Sequence, residues 1–290
     1  MPELPEVETI AEELKLKVLN GTFIDLWTDT EKLIKLPAFG KFKKEMIGKR
    51  IEKVSRRGKN IIFDLSQGKT LLVHQKMTGH LLFGKWEKSG SGWRSLVPGP
   101  MADDKMNSYL HLIFWLDSGQ MLALSDLRKF AKVELWSSED FYKSGYFNEL
   151  GPEPLDKNFS LEKFENRLSG KPGRIKQVLM DQSVIAGIGN IYADEILWAA
   201  KISPFRRADS LSGQEMKTVY KEMKDILKTA IKVKGSSMSD YRTLSGEKGG
   251  YQLISKVYRR EGEKCPNCGE TIKREKIAGR SAHYCPVCQK

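Results

Sequence analysis

The sequence predicts an α+β protein of several domains, in which a leading helix and a β-sandwich are followed by a helical domain and a small cysteine-containing β-hairpin. Three observations support this. Apolar residues recur at helical spacing near the start of the chain, short strand-like runs follow as far as about residue 136, and helical patterns occupy residues 158–233. A chain of 290 residues is long enough for more than one domain.

The first element is predicted to be a helix from Pro5 to Leu19. Proline suits the first turn of a helix, and Asn20-Gly21 is typical of a helix stop. One stripe of apolar side chains, which we expect to be buried, lies at helical spacing: Val7, Ile10, Leu14 and Val18.

The glutamates of this segment fall into two groups. Those inside the helix, Glu8, Glu12 and Glu13, are explained by compensation of the helix dipole and by a solvated face. Glu3 precedes the helix, so neither explanation accounts for it well.

From residue 22 to about residue 136 the pattern is that of a mainly antiparallel sandwich or barrel. Apolar runs such as NIIFDL, TLLVHQKM, YLHLIFWL and QMLAL are separated by Gly, Asp and Ser, and Asp-Ser-Gly at 117–119 is typical of a hairpin turn. The segment 85–107 is rich in Gly, Ser and Pro, and we expect it to be a long surface loop.

These patterns divide the chain into four parts. Residues 1–136 form an N-terminal domain that includes the first helix, and 137–157, which contain ELGPEPLD, form a linker. Residues 158–250 form a helical domain whose last part, 237–250, is a polar, glycine-rich loop. Residues 251–290 form the cysteine-containing hairpin.

The charge of the chain indicates a polyanionic partner. Lys and Arg number 49 against 37 Asp and Glu, a formal net charge of +12, and nine basic residues fall within 41–59. This distribution favours nucleic acid over an anionic membrane, and a generally basic, solvated surface is the alternative. Neither a membrane-spanning run nor a secretory signal is visible, so we expect a cytoplasmic, nucleoid-associated location.

All four cysteines lie in the last 26 residues, as two pairs with C-x2-C spacing. Cys265, Cys268, Cys285 and Cys288 are therefore predicted to bind one Zn²⁺ as a closed, structural, four-thiolate site, with two disulfides as the alternative. His283 is taken as a non-ligand, because four thiolates already complete the coordination shell. Such an ion stabilises a segment that is too small to build a core.

The basic sequence between the two cysteine pairs, TIKREKIAGRSAH, suits a hairpin. Such a hairpin can present Arg280 to a phosphate group. The alternative is an exposed arginine without a partner.

Pro2 follows the initiator methionine, and small second residues are those after which Met is commonly removed. The exposed proline would be a secondary amine, and an α-amine has a pKa near about 8, so part of it is neutral and nucleophilic at physiological pH. Attack on a sugar C1′ gives an iminium cation, which permits loss of a base and then elimination of the 3′ phosphate. Glu3 can carry protons for the sugar. A proline without chemical function is the alternative.

Seven motifs occur together and in order: PELPEVET at the start, RRGKNIIF at 56–63, QKMTGH at 75–80, DLRKF at 126–130, ELGPEP at 149–154, AGIGNIYADEIL at 186–197, and the four-cysteine segment with AGR before its second pair. Over essentially its full length the chain resembles the bacterial formamidopyrimidine-DNA glycosylases, which are related to endonuclease VIII.

The resemblance implies a bifunctional DNA glycosylase and AP lyase of base excision repair. Such an enzyme flips out and excises oxidised purines (8-oxoguanine and formamidopyrimidines) through a Schiff base on its N-terminal proline, then cleaves the strand by β,δ-elimination. It also implies a helix–two-turn–helix domain, a zinc-finger β-hairpin with one structural Zn²⁺, damaged double-stranded DNA as partner, no membrane, and a monomer.

The resemblance assigns catalytic roles to four residues. Pro2 matches the nucleophile, Glu3 the catalytic carboxylate, Glu6 an acidic residue near the site, and Lys59 a lysine that assists catalysis near the lesion's phosphate. From its position after a glycine alone, Lys59 is also compatible with an ordinary solvated residue.

Other matches concern DNA. Met77, Arg128 and Phe130 match the trio that fills the gap left by the flipped nucleotide, although Met77 and Phe130 taken alone would suit a sheet core. The residues that match phosphate contacts are His111, Asn190 and Arg280. For His111 the alternative is a structural role, which is more common for a lone histidine beside a strand. The lesion-capping loop, matched to 237–250, is represented by Tyr241, Arg242, Thr243, Gly249 and Tyr251.

The chain departs from the family pattern at two places. Ala131 stands where the family usually has Gly after the Arg-Lys-Phe motif, and we expect a minor backbone adjustment there. The 85–107 segment is longer than usual, which modifies DNA contacts or has no effect.

Two other functions compete with this one. An endonuclease VIII type enzyme shares the nucleophile and the finger, but its void-filling residues sit in one loop, whereas Met77 is separated from Arg128 and Phe130. A non-catalytic zinc-dependent DNA-binding protein explains the charge and the finger but not Pro2-Glu3 or Lys59. For RNA binding there is no aromatic-rich strand motif.

Overall fold

A computed structural model describes residues 1–90 and 92–290. The chain forms two compact units: unit 1 consists of residues 1–146 and 234–250, and unit 2 of residues 147–233 and 251–290. The loop that the sequence division attached to the helical domain thus belongs to unit 1. The helical region and the finger, which that division separated, share unit 2.

The described residues of unit 1 form three helices and eleven strands. Its helices are α1 Leu4–Lys17, α2 Phe39–Met46 and α3 Ser138–Lys143. Its strands are β1 Phe23–Thr28, β2 Ile34–Leu36, β3 Ile51–Arg57, β4 Asn60–Leu65, β5 Lys69–His74, β6 Gly79–Gly84, β7 Trp86–Ser89, β8 Gly92–Ser95, β9 Leu110–Leu116, β10 Met121–Asp126 and β11 Lys132–Ser137.

Two sheets form the predicted sandwich. One has the order β1-β9-β10-β6 and is antiparallel throughout. The other has the order β2-β11-β5-β4-β3 and is antiparallel except for the β2–β11 pair. Side chains from both sheets, such as Phe114 and Phe63, share one core, and α1 adds its predicted stripe to that core. This burial of apolar area holds the sandwich and its leading helix together.

The expectation of a surface loop at 85–107 is wrong. The segment forms the β7–β8 hairpin and a 3₁₀ turn at Lys105–Tyr109, and it buries Trp86, Met101 and Met106. Trp86 and Met101 cover the face of the four-stranded sheet that points away from the main core. Both faces of β9 are therefore buried, which explains why YLHLIFWL is apolar on both faces apart from His111.

Unit 2 contains four helices and one hairpin. They are α4 Leu161–Leu168, α5 Ile175–Met180, α6 Asn190–Ala199, α7 Gly213–Lys232, β12 Lys273–Ile277 and β13 Arg280–Tyr284. The long helix α7 begins with a capping box between Ser212 and Glu215. The α6 helix is buried on most sides, with Tyr192 and Ile196 fully enclosed, so it forms the centre of this unit.

Two short helices lie where the sequence indicated none. The α2 helix falls in the basic segment, where Phe42 and Met46 bury one side while lysines occupy the other. The α3 helix lies inside the predicted linker, and the division between the units falls at 146/147. In the described part of the chain, no helix combines the length and the apolar character needed to cross a membrane.

Candidate active site and DNA interface

The first turn of α1 brings the N-terminal acidic residues into the interior. The Glu3 backbone N–H donates to Glu6 Oε2 at 2.8 Å, as in the second half of a capping box. Glu3 is 2% exposed and Glu6 is 1% exposed, and Pro2 is buried beside them. Burying carboxylates this deeply costs free energy unless hydrogen bonds or opposite charges compensate for the lost hydration.

The amine that begins the chain lies among these groups. Burial lowers the pKa of the Met1 α-amino group, and the charge of Lys59 lowers this pKa further. The carboxylates of Glu3, Glu6 and Asp240 act in the opposite direction. We call the Met1 amine, Pro2, Glu3, Glu6 and Lys59 the N-terminal cluster; the amine lies in an environment that favours its neutral form.

A tight turn between β3 and β4 positions Lys59. Gly58 has a φ of +57°, and Arg56 Nη1 donates to its carbonyl oxygen at 2.8 Å. The Arg56 guanidinium also pairs with Glu8 on α1. Lys59 is only 7% exposed, so it is not an ordinary solvated lysine.

Two glutamates of α1 attach the 234–250 loop to the helix. Glu6 Oε1 accepts a hydrogen bond from the Ser236 backbone N–H at 2.7 Å, and Glu13 Oε2 accepts one from the Leu244 N–H at 2.8 Å. Gly235, with a φ of +75°, is required here, since a Cβ at this position would lie 2.7 Å from Glu6 Oε1.

The solvated-face explanation therefore holds for only one of the three helical glutamates. Glu12 is at the surface and pairs with Lys15 at 2.6 Å. Glu8 pairs with Arg56 and Glu13 binds the loop, so both contribute to tertiary structure. Their partners lie about 50 to 230 residues away, which no local pattern indicates.

Most of the predicted capping-loop side chains point into unit 1. Tyr241, Arg242 and Thr243 are at most 8% exposed. Gly249 packs against backbone, because a Cβ there would lie 2.3 Å from the Gly235 carbonyl oxygen. Solvent reaches the loop chiefly at Ser239, Ser245, Glu247 and Lys248.

Tyr251 does not belong to this loop. It lies in unit 2, where it packs edge-on against Tyr192 with the ring centroids 5.1 Å apart. Its hydroxyl reaches Glu195 Oε2 at 3.5 Å. Its placement corrects the assignment of Tyr251 to the capping-loop set.

Sheet register brings the three predicted void-filling residues to one edge of unit 1. Gly79 of β6 is opposite Asp126 of β10, so the β5–β6 turn that carries Met77 lies beside the β10–β11 turn that carries Arg128 and Phe130. Residues separated by about fifty positions in the chain thus become neighbours.

Asp126 holds these two turns together, a role that no pattern in the sequence indicated. Its Oδ1 accepts from Thr78 Oγ1 at 2.6 Å, and its Oδ2 accepts the backbone N–H groups of Phe130 and Ala131, each at 2.7 Å. The carboxylate is fully buried. The signal in the sequence that could have identified this role is the position of Asp126 at the end of an apolar strand and the start of a turn.

The side chains on these turns are accessible. Met77 is partly exposed, Phe130 is 50% exposed, and the Arg128 guanidinium lies 4.7 Å above the Phe130 ring centroid. Phe130 therefore does not belong to the sheet core. Ala131, by contrast, is buried in that core.

His111 is held inside unit 1. It lies on β9, is 6% exposed, and its Nδ1 is 2.9 Å from Asp29 Oδ1. Through its contact with Asp29, His111 has the structural role that the sequence left open.

Asn190 begins α6 directly after the glycine-rich turn of unit 2. Gln182 braces that turn: its Oε1 accepts the Gly187 N–H at 2.9 Å and its Nε2 donates to the Ile188 carbonyl at 2.8 Å. Gly187 has a φ of +92°. The arrangement presents the first turn of α6, where backbone N–H groups favour an anion.

A buried polar network joins the α5 and α6 helices to the finger within unit 2. Asp194 lies 2.6 Å from Lys176 Nζ through one oxygen and 3.0 Å from His283 Nδ1 through the other. All three side chains are at most 3% exposed. This network fixes His283 away from the cysteines, as expected of a non-ligand.

The four cysteine sulfurs lie within 4.8 Å of one another. The shortest separation, 3.4 Å between Cys268 and Cys285, is far from a disulfide bond of about 2 Å. Four converging thiols in a closed knuckle fit one tetrahedral Zn²⁺. The disulfide alternative is therefore wrong, and the zinc prediction is supported by the donor set.

Arg280 is exposed at the start of β13, next to the hairpin turn. Ala278 and Gly279 form that turn with φ values of +45° and +76°. The register pairs Ile277 with Arg280 across it, which is the presentation that the sequence predicted.

The chain thus contains a sandwich with a buried acidic N-terminus and a helical unit that carries a four-cysteine finger. Residues 1–133 match the formamidopyrimidine-DNA glycosylase N-terminal domain, and residues 150–242 match the H2TH domain of the same glycosylase. Residues 262–290 match the zinc finger found in FPG and IleRS.

Similarity to individual proteins extends over the whole chain. It is 38% identical over 290 residues to formamidopyrimidine-DNA glycosylase of Pelotomaculum thermopropionicum, with 100% of this chain and 99% of the relative covered. The corresponding enzyme of Desulforamulus reducens is 39% identical over 294 residues, with the same coverage. The chain therefore belongs to the formamidopyrimidine-DNA glycosylase family.

The chain is also similar in structure to solved members of this family. A Lactococcus lactis Fpg in complex with Fapy-dG-containing DNA is similar with a TM-score of 0.85 and 34% identity, covering 99% of this chain and 100% of that one. The wild-type Lactococcus lactis enzyme in complex with DNA that contains an oxidised pyrimidine gives a TM-score of 0.86 at 34% identity, with both chains covered completely.

Proposed function

We propose that this glycosylase is bifunctional: it excises oxidised purines through a Schiff base on Pro2 and then cleaves the strand as an AP lyase by β,δ-elimination. The observation that carries the proposal is the N-terminal cluster, in which the buried Pro2 accompanies two buried carboxylates and a buried lysine. A DNA-binding protein without catalytic function has no need for this costly arrangement.

The nucleophile is the Pro2 nitrogen after removal of Met1. While Met1 is attached, this nitrogen is an amide and cannot attack. Once free, it is a secondary amine at a buried position, and burial disfavours the charged form of an amine. Its lone pair forms a bond to C1′, the bond from C1′ to the damaged base breaks, and the base leaves with a proton.

Glu3 and Lys59 handle protons and charge around this step. Glu3, buried at the cap of α1, is the group proposed to protonate the sugar oxygen as the ring opens. The resulting iminium draws electrons from C2′, so loss of a C2′ proton expels the 3′ phosphate. Loss of the C4′ proton then expels the 5′ phosphate, and water releases Pro2. Lys59 is proposed to stabilise the lesion's phosphate.

Glu6 serves a different purpose in this proposal. Its two oxygens accept backbone hydrogen bonds from Glu3 and from Ser236, so it fixes the general acid and the loop relative to each other. We propose Glu6 as a positioning residue rather than a proton carrier.

The DNA contacts follow the same logic. Extruding a nucleotide costs a few kcal/mol of stacking and pairing, and the exposed Phe130 ring and partly exposed Met77 can restore apolar contact in the duplex. Arg128 can hydrogen-bond the unpaired cytosine. Asn190, Arg280 and, through Nε2, His111 are proposed phosphate contacts. The partner is damaged double-stranded DNA, and the protein acts as a monomer.

Borohydride trapping tests the covalent step and the lesion class together. Duplexes that contain 8-oxoguanine, thymine glycol or an abasic site are incubated with the protein and sodium borohydride, which reduces an iminium to a stable amine. We expect a covalent protein–DNA product with 8-oxoguanine and the abasic site, and much less with thymine glycol. Efficient trapping on thymine glycol alone would favour the endonuclease VIII type.

Two altered proteins serve as controls. Pro2→Gly, and a preparation shown by mass spectrometry to retain Met1, are expected to bind the abasic duplex with unchanged affinity but to cleave it far more slowly. Normal strand cleavage by the preparation that retains Met1 would refute the amine mechanism.

A further inference from the structure

The described residues of the 85–107 segment, which we call the platform, are held on the four-stranded sheet by buried side chains and hydrogen bonds. Trp86 Nε1 donates to Asn107 Oδ1 at 2.9 Å, and Asn107 Nδ2 donates to the Met101 carbonyl at 2.7 Å. Ser125 Oγ on β10 donates to the Met106 carbonyl at 2.9 Å. These buried hydrogen bonds fix the path of residues 101–107 on the sheet.

One side of this platform contacts the 234–250 loop. Arg242 Nε donates to Asp104 Oδ2 at 2.8 Å, and the two side chains are only 10% and 12% exposed. Arg242 Nη1 also donates to the Tyr241 carbonyl at 3.0 Å, so the guanidinium connects the platform to the loop backbone. Removing one partner of an ion pair this poorly solvated leaves the other charge buried and unpaired, which strongly destabilises the folded arrangement.

A second contact is steric. Gly246 has a φ of +84°, and a Cβ at this residue would lie 2.3 Å from Met101 Cγ. The loop backbone therefore rests directly on the Met101 side chain. Nearby, the Phe83 N–H donates to the Leu244 carbonyl at 2.8 Å.

These contacts lie beside open space. A cavity of about 630 Å³, lined by Glu13, Phe83, Met101 and Glu247 among others, remains next to the loop. Tyr241 and Leu244 pack into the main core of unit 1, and the contacts with Asp104 and Met101 add to this packing in holding residues 242–246.

The other end of the loop borders the N-terminal cluster. Ser236 binds Glu6, and the Asp240 carboxylate acts on the amine at the chain start. The loop thus connects the platform on one side with the proposed chemistry on the other, and all of its anchors belong to unit 1.

We propose that Asp104 and Met101 of the 85–107 segment hold the 234–250 loop in its base-contacting position before DNA binds, which makes Asp104 a positioning residue for excision. The assignment of a base to this loop rests on the proposed function. A preordered loop avoids the entropic cost of ordering during catalysis. Because an abasic site has no base, its cleavage does not need the loop.

The test compares Asp104→Asn with Asp103→Asn. Asn at 104 can keep the Oδ1 acceptor that caps Met106 at 2.9 Å, while the charge that holds Arg242 is lost. Asp103 is the exposed neighbour and loses the same charge. Hydrogen exchange is measured over residues 236–247 of the full-length protein without DNA. We expect exchange about tenfold faster in Asp104→Asn and unchanged exchange in Asp103→Asn.

The functional readout is single-turnover cleavage of two duplexes. For Asp104→Asn we expect excision of 8-oxoguanine to slow by about fivefold or more, with cleavage at a preformed abasic site within about twofold of the unaltered protein. Arg242→Lys, which keeps the charge, is expected to retain more excision than Arg242→Gln. Gly246→Ala, which forces the loop off Met101, is expected to reproduce the exchange and excision effects of Asp104→Asn.

Unchanged exchange in both Asp104→Asn and Gly246→Ala would overturn the positioning role. Equal loss on both duplexes would overturn the link to the base. If the unaltered protein cleaved neither duplex, the proposed function would fail, and the exchange comparison would still decide whether the platform positions the loop.

Discussion

At the residue scale, buried carboxylates organise this site. Glu6 and Asp126 are buried and Glu13 is partly buried, and each accepts backbone hydrogen bonds from a distant or turning segment of unit 1. A carboxylate offers two acceptor oxygens, whereas the amide of the same size offers only one, so a carboxylate can accept N–H groups on both sides. The motifs identify where such residues lie, and the hydrogen bonds show what they hold.

Asp126→Asn tests this role. Replacing one oxygen by an NH₂ group leaves buried N–H groups of the Phe130 turn without an acceptor, at a cost of about 1–3 kcal/mol. We expect the free energy of unfolding of unit 1 to fall by this amount and 8-oxoguanine excision to fall with it, because the Met77 and Phe130 turns separate.

Urea denaturation and single-turnover cleavage measure the two effects. Asp117→Asn, in an exposed hairpin turn, is the matched control and should change neither by much. If Asp126→Asn unfolded at the same urea concentration as the unaltered protein, the proposed joint between the two turns would be wrong.

At the scale of elements, the four-cysteine site supports the finger hairpin, whose exposed turn carries Arg280, the proposed phosphate contact. The four sulfurs converge behind the hairpin, and β12 and β13 project from them with Arg280 at the exposed turn. The Asp194 network attaches the same strand to α6, since the His283 backbone N–H donates to Asp194 at 2.9 Å. The zinc site and the helix together set the direction of the hairpin.

Arg280→Ala is expected to weaken binding to every duplex, damaged or not. If Arg280 neutralises one phosphate, the slope of log binding constant against log salt concentration should become shallower by about 1. Fluorescence anisotropy over a range of salt concentrations measures this slope. Arg274→Ala on β12, whose guanidinium already pairs with Glu261 at 3.3 Å, is the control. An unaltered slope for Arg280→Ala would count against a phosphate contact.

At the scale of the whole molecule, stability depends on pH through histidines that are buried without charge. Burial lowers the pKa of His80 to about 4 and that of His74 to about 3. In the unfolded chain both titrate near 6.5. As pH falls from 6.5 towards 4, the unfolded chain gains protons that the folded chain does not, so stability decreases across this window.

For His80 this difference corresponds to about 2–3 kcal/mol by pH 4.5. We therefore expect His80→Gln to lose less stability between pH 7 and pH 4.5 than the unaltered protein does. Tryptophan fluorescence follows the transition of unit 1, because five of the six tryptophans lie there. Identical pH dependence in the two proteins would mean that His80 is accessible to protons in the folded state.

Much of the fold could be predicted from local patterns. The α1 stripe, the α7 helix and the cysteine spacing are periodic or short-range signals, and all three are present as expected. The 85–107 segment was misjudged because Gly, Ser and Pro indicate turns but do not exclude an ordered platform. Its tryptophan and methionines, together with a β9 strand that is apolar on both faces apart from His111, contained the contrary signal.

The sequence by itself determined the family, the zinc ligands and the residues at which chemistry is proposed, because these depend on residue types at fixed spacing. Only the tertiary structure decided that Glu6 and Glu13 bind the 234–250 loop, that Asp126 joins two turns, that Tyr251 belongs to unit 2 and that Asp104 meets Arg242. The physical reason is that such contacts arise from packing and strand register between distant segments, which leave no periodic trace along the chain.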